Sequence, residues 1–268
     1  MALNETVIQQ LLDQIRSLPL YKDWQGFDHP QFLKDEVNFK REAAHRATQL
    51  LGKENLQQLI SAGEFGSVLD RLRKLAASNN LLYQSVPASG DLRILYDPKL
   101  DPSSFCLAFF DLLYGDGPTP ARLARYTQFL EMNNLPNYWT FPTYYLFLCY
   151  PESELFIKPG IIKRFLELVE ASDAWTSKPT PHAYSILLNI GQELKERLHE
   201  YQPRDMVDIQ SFMWICTRAV NSSKSLIPPD RQEEFTQLFQ EFVQSYLNTI
   251  SGHEHMERYE KDRQLGRA

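Results

Sequence analysis

The segment DPSSFCLAFFDLLYGDGPTPARLARYTQFL, residues 101–130, carries the mark that decides the fold, and carries it twice. Asp101-Pro102 and Thr119-Pro120 each set a polar side chain ahead of a proline. Proline at a first helical position gives up no hydrogen bond, because that N–H has no partner inside the helix. The Asp or Thr before it accepts from the free amides of the first turn. Apolar residues then recur every three or four positions: Phe105, Phe109, Leu112 and Leu113 after the first mark, Leu123, Tyr126, Phe129 and Leu130 after the second. That spacing makes one stripe along a helix and does not alternate as a strand would.

Working outward, the same mark returns at Thr180-Pro181 and, with one residue between, at Thr140-Phe141-Pro142; Lys158-Pro159 and Pro228-Pro229 are weaker forms. Ile161, Ile162, Phe165, Leu166 and Val169 follow Lys158 in register, and Tyr184, Leu187, Leu188, Gly191, Leu194 and Leu198 follow Thr180. Toward the N-terminus, Asn4 caps a helix carrying Val7, Leu11, Leu12 and Ile15, and Pro30 starts one that buries Phe32, Leu33, Val37 and Ala44. Glu64 to Ala77, Asp205 to Val220 and Gln232 to Tyr259 read as further helices. The expected fold is all-α, a multi-helix bundle of about nine to eleven helices over residues 1–268.

One stretch breaks the pattern. Leu81 to Val86 and Leu92 to Tyr96 are short apolar runs flanking Pro87-Ala88-Ser89-Gly90-Asp91. They read either as one short β-hairpin near residues 81–96 or as an irregular loop. The same stretch, 79–100, is the best boundary between sub-lobes 1–78 and 101–268.

Of the 268 residues 43% are hydrophobic, with 16 Phe, 13 Tyr and 4 Trp, which is enough apolar surface for a folded core and excludes disorder over most of the chain. Cys106, Cys149 and Cys216 are scattered and odd in number, so they do not make a disulfide framework and they fit a reducing compartment. No basic stretch followed by an apolar run opens the chain, and the longest greasy segment, Tyr144 to Tyr150, is too short to span a bilayer. The expected location is the cytoplasm, with no membrane partner.

Charge restricts the partners. Lys and Arg total 28 and Asp and Glu 34, for a net −6. Basic and acidic residues count 7 and 8 over 1–60, 7 and 7 over 61–130, 6 and 9 over 131–200, and 8 and 10 over 201–268, so no segment is net basic. A protein that holds nucleic acid mainly through phosphates shows a basic face; any such contact here comes from a local patch or from a partner.

The motifs of common chemistries are missing. There is no GxxxxGK[ST], GxGxxG or GxSxG and no CxxC pair. Gly115-Asp116-Gly117-Pro118 reads as a tight turn between helices. His253-Glu254-His255 with Glu257 lies on a charged helix end, where ligands two apart point to different sides. Glu154 and Lys158 have the spacing of a restriction-nuclease acid and lysine but no strand to carry them. Asp205 and Asp208 at a helix start suit the helix dipole, and with Arg204, His199 and Tyr201 they form the one seed for an unfamiliar enzyme site. The expectation is no catalytic residue, no cofactor and no metal.

Three segments carry a resemblance: LPNYWTFPTYYLFL (135–148) followed by YPE (150–152) and FIKP (156–159); PRDMVDIQSFMW (203–214); and FFDLLYGDG (109–117). Together they are similar to the helical region ahead of the motor domain in McrB-like ATPases of prokaryotic modification-dependent restriction, over roughly residues 40–220. The resemblance implies a recognition or adaptor subunit of an anti-phage system, with catalysis on another polypeptide, an ATPase or a nuclease, and with DNA or RNA as the target. The turn at Leu135-Pro136-Asn137-Tyr138-Trp139 also faintly resembles the helix–hairpin–helix DNA glycosylases, but it lacks both glycines of their turn and Pro159 stands where their aspartate would be, so glycosylase chemistry is not expected. For contact with nucleic acid the candidates are Lys158, Lys163 and Arg164 at one helix start, where free amides also favour a phosphate, and Tyr138 and Trp139 in the loop before, able to stack on a base or wedge a groove. The plain alternatives are solvated helix cations and core aromatics. Arg71, Arg73 and Lys74 make a second small cluster. A protein–protein scaffold without nucleic acid is the competing class.

Overall fold

The computed structural model describes residues 3, 5–83 and 89–223, with residues 238 and 241 beyond them. The chain divides into two compact units, residues 1–220 and 221–268. The first is described below. Of the second only fragments are described, and the expected helix over Gln232 to Tyr259, with the His253 cluster, lies outside the described residues.

The elements in chain order begin with α1 (Glu5–Ser17), α2 (Pro30–Phe32), α3 (Asn38–Leu51), α4 (Lys53–Ser61) and α5 (Phe65–Ala77). After the 79–100 segment come α6 (Pro102–Tyr114), α7 (Thr119–Met132), α8 (Thr140–Cys149), α9 (Pro159–Leu168), α10 (Pro181–Arg197) and α11 (Met206–Ser223). The described residues include no strand, and the fold is an all-α bundle.

The start marks work, though not all as caps. Asp101 Oδ2 accepts from Ser104 N at 2.9 Å, and Thr180 Oγ1 from Ala183 N at 3.2 Å. Thr119 and Thr140 open their helices, but their hydroxyls turn elsewhere, to Glu154 Oε1 at 2.6 Å and Asp91 Oδ1 at 2.9 Å. The Gly115–Pro118 stretch is the expected turn between α6 and α7, with Gly117 at φ +88°, a conformation that a side chain would strain.

Helix α8 is the axis of the bundle. Every side chain from Thr140 to Leu148 is buried, the signature of a helix surrounded by others. It packs on α3 and α6, while α7 packs on α6 and α10. Phe105, Phe109, Phe141 and Tyr145 meet at ring-centroid distances of 5.0 to 6.1 Å, mostly edge to face. One apolar core runs from Leu3 to Cys216, through both sides of the 79–100 segment.

The β-hairpin reading of 81–96 is corrected. Leu92, Ile94 and Leu95 are all buried instead of alternating, and Arg93–Tyr96 coils into a 3₁₀ turn. Tyr83 and Asp91 close the loop across two bonds, Asp91 N to Tyr83 O at 2.8 Å and Tyr83 N to Asp91 Oδ2 at 2.8 Å; no ladder extends from them among the described residues. Residues 84–88 lie outside the described residues.

Between α2 and α3 the helix widens into a π turn, Leu33–Val37. Such bulges spoil regular hydrogen bonding and recur at functional sites. This one presents Asp35 and Glu36 to the cavity described next.

Candidate functional site

The five residues expected to touch nucleic acid do not form one surface. Trp139 is fully buried; its indole Nε1 donates to Thr176 O at 2.7 Å, and its ring lies against Trp175 and Tyr184. It is a core residue, so the stacking role is corrected. Tyr138 is half-buried. Its hydroxyl donates to Asp91 O at 2.6 Å, and the Arg93 guanidinium covers its ring at 4.0 Å, which leaves that face unavailable to a base. Lys163 and Arg164 are exposed, one turn into α9. Lys158, at the N-cap of α9, turns inward instead and donates to Leu81 O at 3.0 Å.

The second cluster is mostly structural. Arg71 donates to Leu50 O at 3.0 Å, and Arg73 to Leu95 O at 2.9 Å and Asp70 Oδ1 at 2.8 Å; Lys74 alone points outward. Glu154 does not meet Lys158. It is buried, and accepts from Thr119 and from the Tyr184 hydroxyl at 2.8 Å.

The cavity that Lys158 enters holds about 150 Å³. Glu36 and Lys40 reach it from the π turn and α3, four positions apart and so on one helical face. Gln210 and Trp214 reach it from α11 at the same spacing. Phe39 and Phe156 supply apolar wall. Lys40 is buried, with Nζ donating to Ser211 Oγ at 2.8 Å and Glu36 Oε2 at 3.2 Å; Ser211 in turn donates to Glu36 O at 3.1 Å. Burial pushes the Lys40 ammonium down to about 8, against the pull of Glu36, and the same burial raises the Glu36 carboxyl. Lys158 Nζ stands 5.6 Å from the centre of the Trp214 ring. Two buried polar atoms of the lining have no protein partner, Gln210 Oε1 and Trp214 Nε1.

What aligns α11 against α3 is a second polar cluster. Asp205 caps α11, accepting from Val207 N at 3.0 Å and Asp208 N at 3.2 Å. Arg41 donates to both oxygens of Asp205, at 2.6 and 3.0 Å, and to Asp208 at 3.2 Å. Asp208 also takes three bonds from Arg204, each at 2.8 Å. The cluster read as an enzyme seed therefore has its carboxylates engaged by arginines and amides, and His199, exposed, faces Glu196 O instead. Among the described residues no group of three His, Cys, Asp or Glu side chains could hold a metal ion.

Sequence reasoning passed over Lys40, Gln210 and Trp214 as pocket residues. Lys40 did leave a signal: at three positions after Val37 and four before Ala44, it falls on the stripe those residues bury. A lysine there is costly unless it is paired and used.

The site belongs to a class, a helical bundle with a polar-lined pocket at the α3–α11 seam and a separate exposed basic pair. Beyond that class, comparison with known proteins finds no family model, no curated protein and no solved structure that matches the chain. Among the described residues no helix is long and apolar enough to cross a membrane.

Proposed function

We propose that this chain is a non-catalytic recognition or adaptor subunit of a prokaryotic restriction-type defence system, contacting nucleic acid through a local patch at the head of α9. The observation that carries the reading is the placement of Lys163 and Arg164: adjacent, exposed and one turn from the amide of Gly160, the one N–H of that turn not bonded to Lys158 O, since Pro159 has none and Ile161 and Ile162 both donate to it. On a chain of net charge −6 such a patch is small, so it adds to a contact shared with a partner. The chemistry of cutting or of nucleotide hydrolysis then sits on that partner polypeptide, as the similarity to the region ahead of restriction ATPases implies. The carboxylates of the Arg41–Asp205–Asp208–Arg204 cluster serve as ion-pair partners, which supports binding over bond-making.

The test is titration of labelled DNA and RNA duplexes and single strands by fluorescence anisotropy at several salt concentrations, with the full chain and with K163E/R164E. Each cation that neutralises a phosphate contributes about 0.9 to the slope of log affinity against log salt. The double variant is expected to weaken binding across all sequences and to flatten that slope by about two. Unchanged binding removes the patch. No binding by the full chain, together with a stable complex with a neighbouring gene's product, replaces the reading with a protein–protein scaffold.

A further inference from the structure

We infer that Lys158 is an autoinhibited cation of the α9 patch: the Leu81 carbonyl and the Trp214 ring hold its ammonium out of the patch, and a nucleic-acid phosphate at the head of α9 releases it to make a third contact beside Lys163 and Arg164. The inference rests on the nucleic-acid reading above and adds to it a self-blocking contact that sets the affinity of that site.

Position comes first. Lys158 is the N-cap residue of α9, two positions before Gly160 and one turn before Lys163 and Arg164. Its ammonium sits on a flexible four-carbon stem. From the N-cap that stem has two directions open to it, toward the helix start or toward the α3–α11 seam, and the structure holds it in the second.

The strength of the hold comes second. Of the three N–H donors of the ammonium, one is bonded to Leu81 O at 3.0 Å, and Nζ stands 5.6 Å from the centre of the Trp214 ring, within reach of a cation–π attraction. Neither partner carries a charge. The other inward cations are held differently, Lys40 by Glu36 and Arg41 by Asp205 and Asp208. Withdrawing either of those strands a buried carboxylate, which is costly. Withdrawing Lys158 strands none, and Lys158 and Trp214 are both partly exposed, so water reaches the contact. A phosphate offers the ammonium a full opposite charge, which a carbonyl and a ring do not.

The charges around the held position come third. Lys158 shares the pocket with Asp35, Glu36 and Lys40. Glu36 is engaged by Lys40, and Asp35 accepts from the Tyr21 hydroxyl and from Gln31. The Lys40 and Lys158 charges repel, and that repulsion is one of the causes that lower the Lys40 ammonium, after burial. Release of Lys158 therefore relieves a like-charge contact while both carboxylates keep their partners.

The experiment uses the full chain with Lys158→Met, Trp214→Leu and the double variant. Without nucleic acid, acetic anhydride labelling read by mass spectrometry ranks the lysine amines. Lys158 acetylates at least about fivefold more slowly than Lys163, and Trp214→Leu narrows the gap. With labelled duplexes and single strands, anisotropy across salt concentrations reads the contact itself. Lys158→Met flattens the slope of log affinity against log salt by about 0.9, one phosphate contact. Trp214→Leu tightens binding about threefold at unchanged slope, because it weakens the resting contact and adds no new one. The double variant loses that gain, since no amine remains to be released. Should Trp214→Leu fail to fold, the Lys158→Met slope decides. Equal labelling of Lys158 and Lys163 in the folded chain, an unchanged slope in Lys158→Met, or a gain from Trp214→Leu that survives in the double variant overturns the inference. Absence of any binding by the full chain overturns the α9 reading and this inference together, whereas binding that K163E/R164E weakens and Lys158→Met leaves untouched overturns this inference alone.

Discussion

Removing Arg41 destabilises this protein more than removing Asp208, although Arg41 is partly exposed and Asp208 is wholly buried. The Asp208 side chain is 0% exposed and takes four hydrogen bonds, three from Arg204 and one from Arg41. Asp208→Ala deletes all four. The two guanidiniums it leaves are not stranded: the Arg204 and Arg41 side chains are 44% and 35% exposed, Arg204 keeps Phe27 O at 3.1 Å, and Arg41 keeps both oxygens of Asp205. The loss is then one or two charge-assisted bonds net of hydration, about 2–3 kcal/mol. Arg41→Ala is the reverse case. It leaves the carboxylates of Asp205 and Asp208, 3% and 0% exposed, side by side, with Asp205 holding only the helix amides. Stripping a buried charge of its partner costs about 3–5 kcal/mol. Urea unfolding followed by circular dichroism measures both, since with a slope of about 3 kcal/mol per molar the midpoints should fall by roughly 1 M for Asp208→Ala and by more for Arg41→Ala. If Arg41→Ala proves the milder variant, the reasoning from stranded charge is wrong for this cluster.

Three further outcomes follow from the core. Trp139→Ala costs about 3–5 kcal/mol in the same urea assay, and its nucleic-acid binding, scaled to the folded fraction, equals that of the unaltered chain; a selective binding defect with full stability would return Trp139 to the interface. Burial pushes the Cys106 thiol up to about 12, so iodoacetamide at pH 7.5 leaves it unlabelled until urea unfolds the chain; rapid labelling of the native protein would contradict its placement. Stability rises and then falls across alkaline pH. Lys40 titrates near 8 folded and 10.5 unfolded, so the cost of burying its charge is present below pH 8 and is relieved as pH climbs toward 10.5, whereas the phenols of Tyr126, Tyr145 and Tyr184 are raised by burial above 10.0 and their contribution is lost above that pH. Urea midpoints between pH 7 and 11 read both limbs, and Lys40→Met removes the rise alone; a rise that survives the substitution assigns it elsewhere.

The helices were legible because their signals are local. Asp101-Pro102 and Thr180-Pro181 announce caps that the structure uses, and the stripes at Phe105, Phe109, Leu112 and Leu123, Tyr126, Leu130 are buried where the spacing puts them. The apolar runs at 81–83 and 92–96 misled because a short buried run carries no period: Leu92, Ile94 and Leu95 serve a 3₁₀ turn as well as a strand. Thr119 and Thr140 show a further limit. Each sits correctly at a helix start, yet its hydroxyl is claimed by Glu154 or Asp91, residues 35 and 49 positions away, a competition no local pattern contains.

The site was less legible for the same reason taken further. Trp139 and Tyr138 lie in a loop, and a loop position says nothing about which way a ring faces; here the indole finds Thr176 O and turns inward. Lys158 carries the charge and the helix start expected of a phosphate contact, but it turns inward toward Leu81 and Trp214, whereas Lys163 and Arg164 are exposed. The residues that line the cavity it enters run from Asp35 to Trp214, most of the length of the first unit apart in sequence. Only the anomaly was local: a lysine in register with Val37 and Ala44 has to be neutralised, paired or employed. Lys40 is paired with Glu36, and the helix widens into a π turn where Glu36 projects. A stable bundle needs neither feature, since an apolar residue at position 40 on a regular helix would pack the same seam at lower cost. The ion pair and the π turn thus give that seam a polar lining, with Glu36 and Lys40 on one side of the pocket and Gln210 and Trp214 on the other.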